Sequence, residues 1–181
     1  MIAASRASVS IQEDIMGNKV IEKLFELAYT DSMTNVQNRN AYEERLKQLR
    51  EPDADISRIT VIVIDINGLK KINDSYGHFG GDDAIKTVAS ALRDTIGEKA
   101  DIYRIGGDEF VCISEECILP CVSRFKETIR FIDREKLYNL AVSIGYSCFH
   151  EEHVRSIDDI ICRADEEMYK DEKSNSWINS S

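Results

Sequence analysis

The sequence predicts an α+β fold: a mixed, mainly antiparallel sheet with helices packed outside it. Three observations carry this. Arg58–Ile66 (RITVIVIDI) is a continuous β-branched run, the pattern of a strand buried on both faces. Two short apolar segments, Ile102–Ile105 and Phe110–Ser114, flank Gly106-Gly107-Asp108-Glu109 and read as a β-hairpin, in which a glycine turn makes positive φ inexpensive. Helical periodicities separate the strands, and strands joined through helices, plus a hairpin, give a layered α+β sandwich.

Taken in order, residues 1–16 are small and polar and read as a flexible leader. Over 17–29, Val20, Ile21, Leu24, Phe25 and Ala28 share one helical face. That helix either packs on its own domain or connects to a preceding sensor module. Asp31–Asn38 is rich in turn-forming residues, and Asn38 or Asn40 caps a helix running to about Arg50. After the first strand a short helix is expected over Leu69–Tyr76. A longer one runs from near Gly80 to near Gly97, with Ala84, Ile85, Val88, Ala89 and Leu92 at helical spacing. Asp82 and Asp83 fall in its first turn, where negative charge suits the helix dipole. Beyond the hairpin come a helix from Pro120 to about Arg134 and a strand over Leu140–Cys148. Ser156–Asp159 forms a capping box with Asp in place of Glu, opening a last helix through about Lys173. The folded domain is thus 30–173, and 174–181 reads as a flexible tail.

The net charge of −10 opposes broad nucleic-acid binding, which draws its affinity from Lys and Arg on phosphates. It leaves room for one anionic ligand held through a divalent cation. The five cysteines are scattered, without zinc-site spacing or a secretory signal, which points to reduced thiols in the cytoplasm. No apolar run reaches the roughly 18 residues of a membrane helix, so no membrane contact is expected from this chain.

The carboxylates carry the functional signal. Asp65 ends a buried strand, a costly position unless the charge is paired or on a metal. If strand and hairpin are sheet neighbours, Asp65 and Asp108 converge at one edge, and Mg²⁺ or Mn²⁺ relieves their repulsion. Mg²⁺ sites of this kind use one or two carboxylates plus substrate phosphates, so the arrangement asks for a nucleotide. Asn67-Gly68-Leu69-Lys70 opens a helix directly after the strand. Its free N–H groups and Lys70 suit phosphate oxygens. Asn73, His78 and Asp82 follow. A carboxylate accepts from guanine N1–H and its exocyclic amine, an amide reaches its acceptors, and adenine would leave Asp82 unpaired.

With these residues the chain resembles the GGDEF family, the diguanylate cyclases. The resemblance runs over roughly 27–169, through AYTDSMTNVQNR (Ala28–Arg39), DINGLKKINDSYGHFGGD (Asp65–Asp82), YRIGGDEF (Tyr103–Phe110), SIGYS (Ser143–Ser147) and RADEEMY (Arg163–Tyr169). It implies a nucleotidyl-cyclase or polymerase-palm fold with a ferredoxin-like core and a central five-stranded sheet. It implies bacterial signalling in which two GTP are condensed into cyclic di-GMP and two pyrophosphates by a homodimer, one GTP per subunit. Mg²⁺ (or Mn²⁺) is then held by the Asp65 and Asp108 carboxylates and the Ile66 carbonyl. Gly68, Leu69 and Lys70 lie along the triphosphate, Asn73 and Asp82 read guanine, and His78 lies near sugar and base. Asp108 or Glu109 helps deprotonate the attacking 3′-hydroxyl, and Lys70 supports the reacting phosphates.

The chain departs from the family pattern at four places. Asn67 stands where many members have a second Asp. Gly97-Glu98-Lys99-Ala100 stands where product-inhibited members carry Arg-x-x-Asp, so no inhibitory site of that kind is expected. Glu172 and Ser176 stand where members usually have a phosphate-contacting lysine and arginine, and helical rotation keeps Lys173 from simply replacing its neighbour. These last two leave open a second function, a catalytically silent GTP-binding regulatory module.

Overall fold

The structure, a computed structural model, describes residues 19–149 and 154–178, the last four by their backbone alone. The expected leader, 1–16, lies outside the described residues. Helix α1 covers 19–29 and is followed by α2 (Arg39–Leu49), β1 (Thr60–Ile66), α3 (Leu69–Thr95), β2 (Asp101–Arg104), β3 (Glu109–Ser114), α4 (Leu119–Asp133), β4 (Val142–Cys148) and α5 (Ile157–Ile178).

The described sheet has four strands, in the order β2-β3-β1-β4, and all its ladders are antiparallel. This corrects the five-stranded expectation. Beyond β2, the described residues offer only Gln37, bridged in parallel to Tyr103, before Asn38 turns the chain into α2. β1 is an interior strand, β-branched throughout its buried stretch from Thr60 to Ile64. Its side chains alternate. Ile62, Ile64 and Ile66 join Phe110, Cys112 and Ile144 against α3 and α4, whereas Val61 and Val63 join Tyr103 and Val111 against α2 and α5. Asp65 continues the second of these faces, toward α5.

Capping follows the sequence closely. Asn38 Oδ1 accepts from Ala41 N at 3.1 Å. At α5, Ser156 Oγ accepts from Asp159 N at 3.1 Å while Asp159 accepts from Ser156 N at 2.9 Å, a reciprocal capping box built with Asp. The expected separate helices over Leu69–Tyr76 and Gly80–Gly97 are one element, kinked at Gly77 (φ 71°, ψ 176°), a conformation that favours glycine. α5 runs on to Ile178 instead of ending near Lys173. Ser174 Oγ accounts for part of this, donating back to the Lys170 and Asp171 carbonyls. The expected tail therefore begins as helix, and 179–181 lie outside the described residues. Most of α1 stands away from the domain, with Val20, Ile21, Leu24, Phe25 and Leu27 53–69% exposed; its last turn docks, where Tyr29 packs on the core beside α2 and the Ala28 carbonyl accepts from Asn38 Nδ2 at 2.9 Å. Among the described residues no helix is long and apolar enough to cross a membrane.

α5 and β4 meet at Gly145. A Cβ there would lie 1.9 Å from the Ala164 carbonyl oxygen and 2.1 Å from Met168 N. Both are backbone atoms that cannot swing aside. Gly145→Ala is expected to destabilise the domain by about 3 kcal/mol, at the upper end for an overpacked core, read as a fall in urea midpoint at unchanged slope.

Candidate active site

β1 and β3 are neighbours, with Asp65 opposite Glu109, and Ile66 N donates to the Asp108 carbonyl at 3.2 Å. The acids at the end of β1 and in the hairpin turn therefore share one sheet edge. Burial first, then the charges of Asp108, Glu172 and Glu109, push the Asp65 carboxyl up to about 7. Asp65 and Asp108 are half-buried, and Glu109 is exposed.

The hairpin turn corrects one expectation about its glycines. Neither Gly106 nor Gly107 adopts positive φ; among the described glycines only Gly68 and Gly77 do. A Cβ on Gly106 would sit 2.5 Å from Glu109 Oε2, so a side chain there would make the exposed Glu109 carboxylate swing away. The turn is held from outside by Arg104, whose Nη2 donates to the Gly107 carbonyl at 2.7 Å while Nη1 donates to both Asp31 oxygens at 3.1 and 3.3 Å. Asp31 also accepts from Thr34 N and Oγ1. Asp31 and Arg104 lie within two of the motif segments, yet apart from their opposite charges nothing in the sequence marks either for this role.

Beside the carboxylates, Gly68 (φ 69°, ψ 26°) turns the chain into α3 without a side-chain cap. The first N–H groups of α3 are thus left open to an anion, and Lys70 is exposed at the same turn. Asn67 holds the turn: its N donates to the Ala141 carbonyl at 2.9 Å and its Oδ1 accepts from Ser143 Oγ at 2.7 Å. Farther along α3, the kink folds its second limb back onto the first. A Cβ on Gly81 would lie 2.2 Å from Asn73 Oδ1, so Asn73 abuts the residue before Asp82. Asn73 and Asp82 are both half-buried, and His78 is exposed on the kink.

Glu172 lies near enough for its charge to raise Asp65, so this end of α5 brings an acid to the site, as the sequence reads. Lys173 does not supply a cation in its place, because its ammonium sits 4.3 Å from the Tyr169 ring centroid, a cation–π geometry.

Among the described residues no group of three or more His, Cys, Asp or Glu is placed to hold a metal unaided. The donor set still fits a hard divalent ion. Mutually repelling carboxylates at one edge are what Mg²⁺ neutralises, and it takes its remaining ligands from water and substrate phosphate. The raised Asp65 value fixes a sign. The native state holds this proton more tightly than the unfolded chain, so the stability it contributes is present below the unfolded value of 3.8 and is lost as pH rises through about 7. In chelator, the melting temperature is expected to fall across that window, and Asp65→Asn is expected to flatten the fall.

A family model described as "Diguanylate cyclase, GGDEF domain" matches residues 28–176. The chain belongs to the GGDEF family. It is 30% identical over 158 residues to a probable diguanylate cyclase, DgcI, of Escherichia coli K12, covering 86% of this chain and 34% of that protein. It is 32% identical over 154 residues to the cyclic di-GMP phosphodiesterase PdeR of the same organism, covering 82% and 23%. The chain therefore spans only about a third and a quarter of these relatives. Among solved structures, the coiled coil and GGDEF domain of DgcB from Caulobacter crescentus in complex with c-di-GMP superposes with a TM-score of 0.78 at 25% identity, covering 96% of each chain.

Proposed function

We propose that this GGDEF domain is a diguanylate cyclase that joins two GTP into cyclic di-GMP. The observation that carries the reading is the convergence of Asp65 and Asp108 beside the uncapped N-terminus of α3, with Asn73 set against Gly81, the residue before Asp82, across the kink. The first pair suits a cation-bound triphosphate, and the second suits guanine.

Asp65, Asp108 and the Ile66 carbonyl would hold Mg²⁺ or Mn²⁺, which when bound neutralises the triphosphate and acidifies the attacking hydroxyl. The chain's own groups do the positioning. The N–H groups after Gly68, with Lys70, hold phosphate oxygens. Asp82 accepts from guanine N1–H and the 2-amine, Asn73 meets the acceptor edge, and His78 borders the sugar. The 3′-oxygen of one GTP attacks the α-phosphorus of the other in line. The bond to the β-phosphate breaks, pyrophosphate leaves, and the hydroxyl proton passes to Asp108 or Glu109. A second, mirrored transfer closes the ring.

One chain presents one GTP, so the reaction needs two copies facing each other. The exposed apolar side chains of α1 offer surface that a second copy would cover. The sensor that sets this pairing would belong to a longer parent protein.

Glu172 beside Asp65 favours the second reading, a silent GTP-binding module. The likeness to a phosphodiesterase is compatible with it. Incubation with GTP and Mg²⁺ or Mn²⁺ at high protein concentration, followed by chromatography, separates the two. Cyclic di-GMP and pyrophosphate support the cyclase, whereas tight GTP binding without product supports the module.

A further inference from the structure

The segment 134–141, between α4 and β4, fastens three points around the nucleotide-binding region. Its Ala141 carbonyl accepts from Asn67 N, at the phosphate turn. Its Leu137 carbonyl accepts from Tyr76 Oη at 2.5 Å, on the first limb of α3. Its Lys136 and Tyr138 both reach the second limb: Lys136 Nζ donates to Asp83 Oδ2 at 2.7 Å and to Thr87 Oγ1 at 2.9 Å, and Tyr138 Oη donates to the same Asp83 oxygen at 2.6 Å.

We propose that Asp83, Lys136 and Tyr138 form a brace that positions the base-reading limb of α3 and thereby sets selectivity for guanine, an inference that rests on the GTP reading above.

The need for a brace follows from the kink. Gly77 breaks α3 between Asn73 and Asp82, and a Cβ placed on it would meet nothing within 4 Å. Gly77 itself thus has open space around its Cα, and residues 74–79 are all exposed. Ala84, Ile85 and Val88 anchor the second limb to the core, but they lie beyond the hinge and beyond Asp82. Buried Gly80 and Gly81 hold the start of this limb against Tyr76 and Asn73 of the first, and the polar contacts at Asp83 tie it to segment 134–141, one residue from the carboxylate that meets the base. Successive helical side chains diverge by about 100°. Holding Asp83 toward segment 134–141 therefore leaves Asp82 free to face the nucleotide, on the limb whose Gly81 abuts Asn73.

The brace is built to stay closed. Tyr138 packs against the core and lies 5.9 Å from the Tyr76 ring, so its hydroxyl is delivered by a fixed aromatic body. Burial raises the tyrosine and the two donors lower the aspartate, which keeps donor and acceptor in their paired forms across neutral pH. Asp83, Lys136 and Tyr138 are positioning residues, since none is placed to touch substrate.

The test compares binding of GTP and of ITP, which lacks the 2-amine, by calorimetry with Mg²⁺ present, alongside melting temperature and steady-state kinetics. Tyr138→Phe removes one oxygen and keeps the packing; Asp83→Asn removes the charge; Lys136→Arg keeps charge and donors. Tyr138→Phe and Asp83→Asn are expected to weaken GTP binding about tenfold and to shrink the GTP-over-ITP preference by a similar factor, raising KM far more than they lower kcat. Lys136→Arg should retain the preference. A preference equal to wild type in Tyr138→Phe and Asp83→Asn, with or without a lower melting temperature, would show a purely structural contact and overturn the proposal. A wild-type protein that does not distinguish GTP from ITP or ATP would instead overturn the guanine reading itself, and the brace with it.

Discussion

Asp108→Ala is expected to abolish cyclic di-GMP formation while leaving the domain folded. The two halves of this expectation have separate causes. Asp108 sits in a turn whose geometry is held by other groups: Arg104 donates to the Gly107 carbonyl, Ile105 N donates to the Glu109 carbonyl, and Ile66 N donates to the Asp108 carbonyl, which alanine keeps. Among the described residues its carboxylate makes no hydrogen bond that holds the turn. Removing it also relieves repulsion on Asp65, so stability in chelator should rise slightly.

Activity depends on the opposite balance. In the proposed site the carboxylates of Asp65 and Asp108 would together hold a divalent ion against the triphosphate. One of them alone leaves the phosphates opposed by Lys70 and backbone amides. Loss of such a charge-stabilising group costs on the order of a thousandfold or more in kcat/KM. Product formation, melting temperature and GTP binding measured on one preparation separate the contributions. Unchanged cyclic di-GMP output from a folded Asp108→Ala protein would remove this acid from the reaction and with it the proposed site.

How far the sequence could be read depended on whether each feature is local. β1 was legible because a run of β-branched residues buried on both faces has few other solutions, and the Ser156–Asp159 box because its partners are three residues apart. The kink at Gly77 was legible only as a gap between helices, since periodicity continues on both sides of one left-handed residue. The end of α5 was hidden because Ser174 and Asn175 resemble a helix stop, while serine bonding back to the preceding turn let the helix continue. Within the site, Asp65 and Asp108 could be paired from strand logic alone. Arg104 with Asp31 and the Asp83–Lys136–Tyr138 brace could not, because each joins residues far apart in sequence with no spacing within one segment to announce the pairing. The single-residue bridge at Gln37 likewise left no strand-length pattern to judge a fifth strand by.

Glu172→Lys should strengthen GTP binding about tenfold, roughly 1.4 kcal/mol, and raise turnover at subsaturating GTP by a similar factor. Glu172 is exposed on α5, yet its charge reaches Asp65. In the native protein it adds a negative field where a triphosphate would arrive. Lysine at that position changes the local charge by two units and lowers the cost of ionising Asp65. It also supplies an ammonium that Lys173, engaged with Tyr169, does not. The substitution lies on an exposed helix face between two residue types of similar helix propensity, so folding should be unaffected. Because an exposed charge is screened by salt, the gain should shrink as ionic strength rises, which separates an electrostatic effect from a packing one. The same variant discriminates between the two functions. In a cyclase limited by phosphate affinity, product formation rises together with binding. In a silent module GTP binds more tightly and no cyclic di-GMP accumulates. Binding that ignores both the charge reversal and the salt would place the triphosphate away from this end of α5 and contradict the path proposed from Gly68 to Lys70.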